Sequence, residues 1–204
     1  MPALAARVRE TDVLQKAAPC DASHERTQPP FSTRDLRDAF GTFATGVTVV
    51  TGVRPDGEPV GVTANSFTSV SLDPPLLSWC LARTSSSVSA FTIGSPFAVH
   101  ILAEDQRDLA MHFARRAREK FDADHNWRAN PTPPEIADVL CRFDCRVRSV
   151  YPEGDHLIVI GEIIGIKRRA GVPLVFHGGR FGSFRAEVGS PGVDMEEVLR
   201  SAWF

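Results

Sequence analysis

Residues Cys141-Arg-Phe-Asp-Cys-Arg-Val-Arg148 alternate apolar and charged side chains without a break. Successive side chains of a strand point to opposite faces, so this run predicts a strand with one buried and one wet face, as in the wall of an antiparallel sheet or barrel. A strand buried on both faces in a parallel sheet would read as a continuous apolar run.

Similar signals recur along the chain. Val47-Thr-Val-Val-Thr-Gly-Val53 and Glu58-Pro-Val-Gly-Val-Thr-Ala-Asn65 flank the turn Arg54-Pro-Asp-Gly57, which predicts a β-hairpin. Further strands are expected over Leu76 to Leu81 and Phe97 to Leu102. His156 to Ile166 reads as a long strand whose glycines permit bulges or close backbone approach, and Gly178-Gly179 as the turn of a last hairpin.

Helical signals are fewer. Ser32 can cap a helix that has Phe31 and Leu36 at staple positions and Leu36, Ala39, Phe40 and Phe43 as its apolar stripe, ending near Gly46. A second helix is expected from Asp105 to Arg116 with Leu109, Ala110 and Phe113 inward, and the cluster Thr84-Ser-Ser-Ser87 opens a short third. Six or more antiparallel strands with two or three helices predict a mainly β fold, a closed barrel with helical decoration, because closure removes exposed sheet edges.

At 204 residues the chain has room for one domain with a sizeable core. Residues 1–30 hold few bulky apolar side chains and read as a mobile N-terminal arm; the domain is expected over 31–185, followed by a tail over 186–204 in which Asp194 to Phe204 can form a short amphipathic helix. The 23 basic and 25 acidic residues are mixed throughout, so no basic face points to a nucleic-acid partner. With no long apolar span and no signal-peptide pattern, no membrane partner is expected and a reducing cytoplasm is the expected home.

Cys20, Cys80, Cys141 and Cys145 do not resemble a disulfide framework. Four residues along a strand separate Cys141 from Cys145 by about 13 Å, too far for a bridge, so both read as core residues. His24, His100, His112, His125 and His177 stand singly, without ligand spacing, and no metal site is expected. Glycine-rich nucleotide motifs, H-E-x-x-H and C-x-x-C are all missing, which argues against a Rossmann dehydrogenase.

The stretch Gly46-Val-Thr-Val-Val-Thr51, followed by Gly61-Val-Thr-Ala-Asn-Ser-Phe-Thr-Ser-Val-Ser-Leu-Asp-Pro-Pro-Leu76, closely resembles the flavin reductase-like, FMN-binding split-barrel family. Similarity resumes at Phe97 to Gln106, Lys120-Phe121, Gly154-Asp-His156, Gly161-Glu162, and Pro173-Leu174 through Arg180-Phe181. The resemblance implies a six-stranded antiparallel split barrel, a homodimer with flavin near the subunit interface, and reduction of FMN or FAD by NADH or NADPH. Reduced flavin would then pass to a separate monooxygenase or halogenase. Two alternatives stay open: a flavoenzyme that retains its flavin for another substrate, and a flavin-binding electron carrier without efficient NAD(P)H turnover.

A flavin site has to hold the isoalloxazine edge, support negative charge during reduction and anchor a phosphate. Thr63, Ala64, Asn65 and Ser66 end a strand with small and hydroxylated residues that let backbone approach a ring; the resemblance puts isoalloxazine and ribityl there, against the plain reading of a polar strand-to-loop transition. Ser85 and Ser87, just after Arg83 at an expected helix start, offer hydroxyls, backbone donors and a positive dipole end, against simple N-capping. By resemblance the phosphate loop falls here, with Ser87 where threonine is frequent. Lys120 is a second cation toward the phosphate, or part of a solvated basic face with Arg115, Arg116 and Arg118. His156, in the matching Gly154-Asp155-His156, is the catalytic candidate, positioning nicotinamide or stabilising charge on the flavin; hydride transfer needs no general base. Arg180 and Phe181 would border the open ring face, or be an exposed arginine and a core phenylalanine after a turn.

Overall fold

The computed structural model describes residues 30–115, 120–121, 127–128 and 132–185. The expected arm apart from Pro30, the expected tail with its helix, and Cys20, His24, Arg116, Arg118 and His125 lie outside the described residues. The chain divides into two units, Met1–Arg37 and Asp38–Phe204, with helix α1 (Thr33–Gly41) crossing the division.

In the first unit Ser32 caps α1 as its sequence suggests. The Asp35 N–H donates to Ser32 Oγ at 3.1 Å, and Asp35 Oδ2 accepts the Ser32 N–H at 2.8 Å and its hydroxyl at 2.7 Å. Those two bonds hold the Asp35 carboxyl below its ordinary value.

The helix stops at Gly41, earlier than expected, because Thr42 Oγ1 turns back onto the Ala39 carbonyl at 2.7 Å and Gly178 N–H caps the Gly41 carbonyl at 2.8 Å. Its apolar stripe is also not core: no residue of α1 is buried, and Phe40 and Phe43 are exposed. Helical periodicity marks a face that can be covered, and among the described residues none buries this one.

The second unit begins with β1 (Thr45–Gly46), β2 (Thr48–Val53), β3 (Pro59–Ala64), β4 (Thr68–Leu72) and β5 (Pro75–Ala82). It continues through β6 (Pro96–Ile101), α2 (Arg107–Ala114), β7 (Trp127–Arg128), β8 (Glu135–Ile136), β9 (Cys141–Glu153), β10 (His156–Arg168), β11 (Leu174–His177) and β12 (Arg180–Ser183). Seven strands form one antiparallel sheet in the order β3-β2-β6-β9-β10-β5-β4; β1, β11 and β12 form a smaller sheet, and β7 pairs with β8.

The fold is therefore mainly β with few helices, as expected, and the closed barrel is not seen as such. The large sheet has seven strands, since Thr68–Leu72, a short segment without a strand pattern of its own, folds back as β4 on β5. No ladder closes the sheet among the described residues: its order runs from β3 to β4, and α2 rather than a strand covers β3, where Thr63 Oγ1 donates to the Ala110 carbonyl at 2.7 Å. The sheet still curls. Ser66, just beyond β3, accepts the Cys80 N–H of β5 at 2.9 Å although β3 and β5 are far apart in strand order.

Two clusters form the core. One gathers Val50, Leu77, Trp79, Leu81, Phe97, Val99 and Val159 inside the curl; the other packs Val47, Val49, Leu102, Ile136 and Leu174 against Ala110 and Phe113 of α2. Gly161 shows why glycine interrupts β10. A β-carbon there would sit 2.4 Å from Phe97 Cζ, and the register with β9 shifts beside it.

The alternation is clean over Cys145–Arg148, while Cys141, Phe143 and Asp144 are all part-buried and Arg142 reverses it. Arg146 and Arg148 face outward, but Arg142 is buried at 2% exposure, where Asp144 Oδ1 accepts its Nε and Nη2 at 2.7 Å. Burial of an arginine is sustained by paired hydrogen bonds, information that periodicity does not carry.

Candidate functional site

A cavity of about 600 Å³ opens where β3, β5, the loop after β5, the end of α2 and the start of β10 meet. That size is in the range of small-molecule and cofactor sites. Thr63, Ala64, Asn65, Ser66, Ser85, Ser87, Lys120 and His156, named from the sequence, all line it, although they span more than ninety positions.

The β3 end contributes small residues whose hydroxyls already have work. Thr63 holds α2, and Ser66 binds the Cys80 backbone. Asn65 is exposed toward the cavity, and its amide has no protein partner among the described residues. The main gift of this segment is thus backbone and the Asn65 amide.

After β5 the chain turns through Thr84–Ser87. Ser85 N–H donates to the Ala82 carbonyl at 2.9 Å and Ser87 N–H to Ser85 Oγ at 3.2 Å. The helix expected here is only the 3-10 turn Val88–Ala90, too short for an appreciable dipole, and Ser87 makes no side-chain cap. Anion binding at this loop thus falls to hydroxyls and individual backbone donors.

Arg83 does not line the cavity. Its N–H donates to the Asp155 carbonyl at 2.9 Å and its Nη1 to the Gly154 carbonyl at 3.3 Å, so it ties the β9–β10 turn to the end of β5 and sets the position of His156, which pairs with Ala82. His156 is about half-exposed, and its Nδ1 lies 2.7 Å from Asp155 Oδ1. Its hydrogen bond, then its charge, hold the Asp155 carboxyl below the usual range. An ionised carboxylate only accepts, so Nδ1 carries the proton and Nε2 is left for a ligand.

Lys120 is neither free nor on a solvated helical face. Its Nζ donates to the carbonyls of Gly61 at 3.0 Å and Phe113 at 2.8 Å, stapling the C-terminal end of α2 to β3, and burial lowers its pKa. A cation at a helix C-terminus also meets the negative end of the dipole.

Arg180 and Phe181 lie elsewhere, on β12. Phe181 packs against Phe176 with ring centroids 5.3 Å apart and faces a separate cavity of about 190 Å³ with Glu104 and Arg107.

Sequence reasoning passed over Thr84, Ser86, Cys80 and Arg115, which also line the large cavity. Thr84 and Ser86 were visible as part of the serine cluster; Arg115 was hidden in a basic run that reads as solvated. No Asp or Glu lines the cavity among the described residues, while Arg115 and Lys120 do. The lining therefore suits a ligand with a flat, partly apolar body and an anionic group. No cluster of three or more metal-ligating side chains occurs among the described residues.

Residues 40–185 match the sequence profile of the flavin reductase like domain. The chain is 46% identical over 154 residues to the FMN reductase (NADH) SmoA of Agrobacterium fabrum, covering 75% of this chain and 87% of that protein. It is 50% identical over 131 residues to the reductase component of the flavin-dependent trigonelline monooxygenase of Acinetobacter baylyi, covering 64% of this chain but 42% of that longer protein. Among solved structures it is similar to the NADH:FAD oxidoreductase SgcE6 of Streptomyces globisporus in complex with NAD and FAD fragments, with a TM-score of 0.71 and 38% identity over 77% of this chain and 95% of that one. A match over most of the described sheet, together with a cavity built from the residues that carry the similarity, places this chain in the flavin reductase-like family.

Proposed function

We propose that this chain is an NAD(P)H:flavin oxidoreductase that reduces FMN or FAD and passes the reduced flavin to a separate flavin-dependent monooxygenase or halogenase. One observation carries the reading: the large cavity joins a small-residue strand end, a serine loop, two cations and His156, with no acidic residue in its lining among the described residues. The names of two relatives support NADH as the reductant.

A bound flavin would supply the redox chemistry of hydride transfer from the nicotinamide. The chain's own residues bind and orient. Asn65 and the backbone of Thr63–Ser66 hold the ring edge and ribityl, while Ser85, Ser87, Arg115 and Lys120 hold the phosphate. His156, oriented through Nδ1 by Asp155 and supported by Arg83, offers Nε2 to the nicotinamide or to charge developing on the ring. Arg180 and Phe181 have no role in this chain's cavity on the present reading.

The reading extends to architecture. Strands β2, β3, β5, β6, β9 and β10 are taken as a six-stranded split barrel with β4 as an added edge, which the curl at Ser66–Cys80 supports. The arm 1–30 and tail 186–204 flank the domain, and a cytoplasmic homodimer is the expected form; exposed Leu72, Ile164 and Ile166 on β4 and β10 support an interface, which sedimentation tests. No described helix is long and apolar enough to cross a membrane.

Anaerobic stopped-flow absorbance near 450 nm, with excess flavin and NADH or NADPH, tests the activity. Catalytic bleaching of excess free flavin is expected. Bleaching of one bound equivalent would favour a retained flavin, and none would leave a flavin-binding protein.

A further inference from the structure

Three buried side chains that the flavin reading does not use converge on the segment Pro133–Ile136. Thr51 of β2 donates Oγ1 to the Pro134 carbonyl at 2.8 Å, Arg142 of β9 donates Nη2 to the Pro133 carbonyl at 3.3 Å, and His100 of β6 accepts the Ile136 N–H on Nε2 at 3.3 Å. His100 Nδ1 faces the Val49 carbonyl at 3.1 Å, which fixes the neutral tautomer with the proton on Nδ1. Thr51 and His100 are fully buried and Arg142 nearly so. Buried polar groups destabilise a fold unless each finds a partner, and here the partners are concentrated on one short segment.

What that segment supports is the cavity wall. Ile136 packs in the same core cluster as Ala110 and Phe113. Trp127, paired with Ile136, meets Phe121 at 4.9 Å between ring centroids, and Phe121 meets Phe113 at 5.2 Å. Phe113 lines the cavity, its ring lies where a β-carbon on Gly61 would need to be, and its carbonyl holds Lys120 Nζ.

We propose that Thr51, His100 and Arg142 are positioning residues for the flavin cavity: by pinning Pro133–Ile136 to the sheet they fix, through Ile136 and the rings of Trp127, Phe121 and Phe113, the wall that presents Phe113 and Lys120. As a statement about flavin, this rests on the functional reading above. As a statement about the wall, it stands on contacts alone.

The test uses the full chain and four variants. Thr51→Val is nearly isosteric and removes one donor; Thr51→Ser keeps it; His100→Leu removes both ring contacts; Val147→Ala, in the other core cluster, is the control for general destabilisation. Thr51→Val and His100→Leu are expected to raise the flavin Kd about tenfold. Turnover at saturating flavin should stay within about twofold of the parent. Hydrogen exchange of the α2 amides should accelerate ahead of β9 and β10, and Thr51→Ser should restore both readouts. Equal shifts in Val147→Ala at equal loss of Tm, or α2 exchange that ignores Thr51→Val, would overturn the proposal. Absence of flavin binding by the parent chain would overturn the flavin half alone, since α2 exchange decides the wall without ligand.

Discussion

Ser66 Oγ accepts the Cys80 N–H at 2.9 Å, tying the segment after β3 to β5 and leaving Cys80, a free cysteine, in the cavity lining. The cavity therefore carries its own chemical probe. Flavin at ten times its Kd is expected to slow alkylation of Cys80 about tenfold, by simple occupancy. Cys145, buried and with its thiol pushed up to about 12 by desolvation and by the Asp144 charge, should remain unlabelled with or without flavin. Peptide mass spectrometry after iodoacetamide treatment reads both; equal labelling of Cys80 in either condition would move the ligand elsewhere.

His156 and the serine loop should separate kinetically. Removing a group that stabilises charge only as reduction proceeds lowers kcat, so His156→Ala is expected to cut NADH-driven turnover by about a hundredfold while leaving flavin affinity nearly intact. Ser85→Ala combined with Ser87→Ala should instead weaken flavin binding by about tenfold, the loss of charge-assisted hydrogen bonds to a phosphate. Steady-state constants with flavin and NADH varied in turn distinguish the two patterns.

Acid should weaken the fold through His100. Burial, outweighing the hydrogen bond to Val49 and joined by the nearby Arg142 charge, lowers its pKa from 6.5 to about 3. Between those values the unfolded chain holds a proton that the folded chain does not, so stability rises with pH and is lost as pH falls from 6.5 toward 3. The slope contributed by this one group is at most about 1.4 kcal/mol per pH unit. Urea unfolding from pH 4 to 7 should show that dependence in the parent chain and a shallower one in His100→Leu.

Gly161→Ala places a β-carbon 2.4 Å from the Phe97 ring, inside a core that cannot yield cheaply. A loss of about 1 to 3 kcal/mol is expected from overpacking. Shortening the ring in Gly161→Ala/Phe97→Leu should recover part of it, read as non-additivity in the urea midpoint.

Local chemistry was legible in the sequence where local forces decide. The Arg54–Gly57 turn, where Gly57 has a φ of +87°, gave the β2–β3 hairpin, and the glycines of β10 gave its register shifts. The expected helix after Thr84 shrank to one turn, and β4 went unseen, because a short polar strand is stabilised by its partner β5 rather than by its own pattern. Most expected site residues reached one cavity, since the resemblance encoded long-range proximity that spacing alone cannot. Arg115 and the burial of Arg142 were hidden for one reason: a charge in sequence carries no record of what faces it.

Trp79 is fully buried between Phe91 and Phe97, and its indole N–H has no hydrogen-bond partner among the described residues. An indole buried in an apolar core emits at the blue end of the tryptophan range, and the neighbours of Trp79, Cys80 and Leu81, line the cavity. The largest fully buried side chain among the described residues is thus also an optical donor beside the ligand space, so that filling of the cavity by a yellow chromophore would be legible as quenched blue emission, without any label added to the chain.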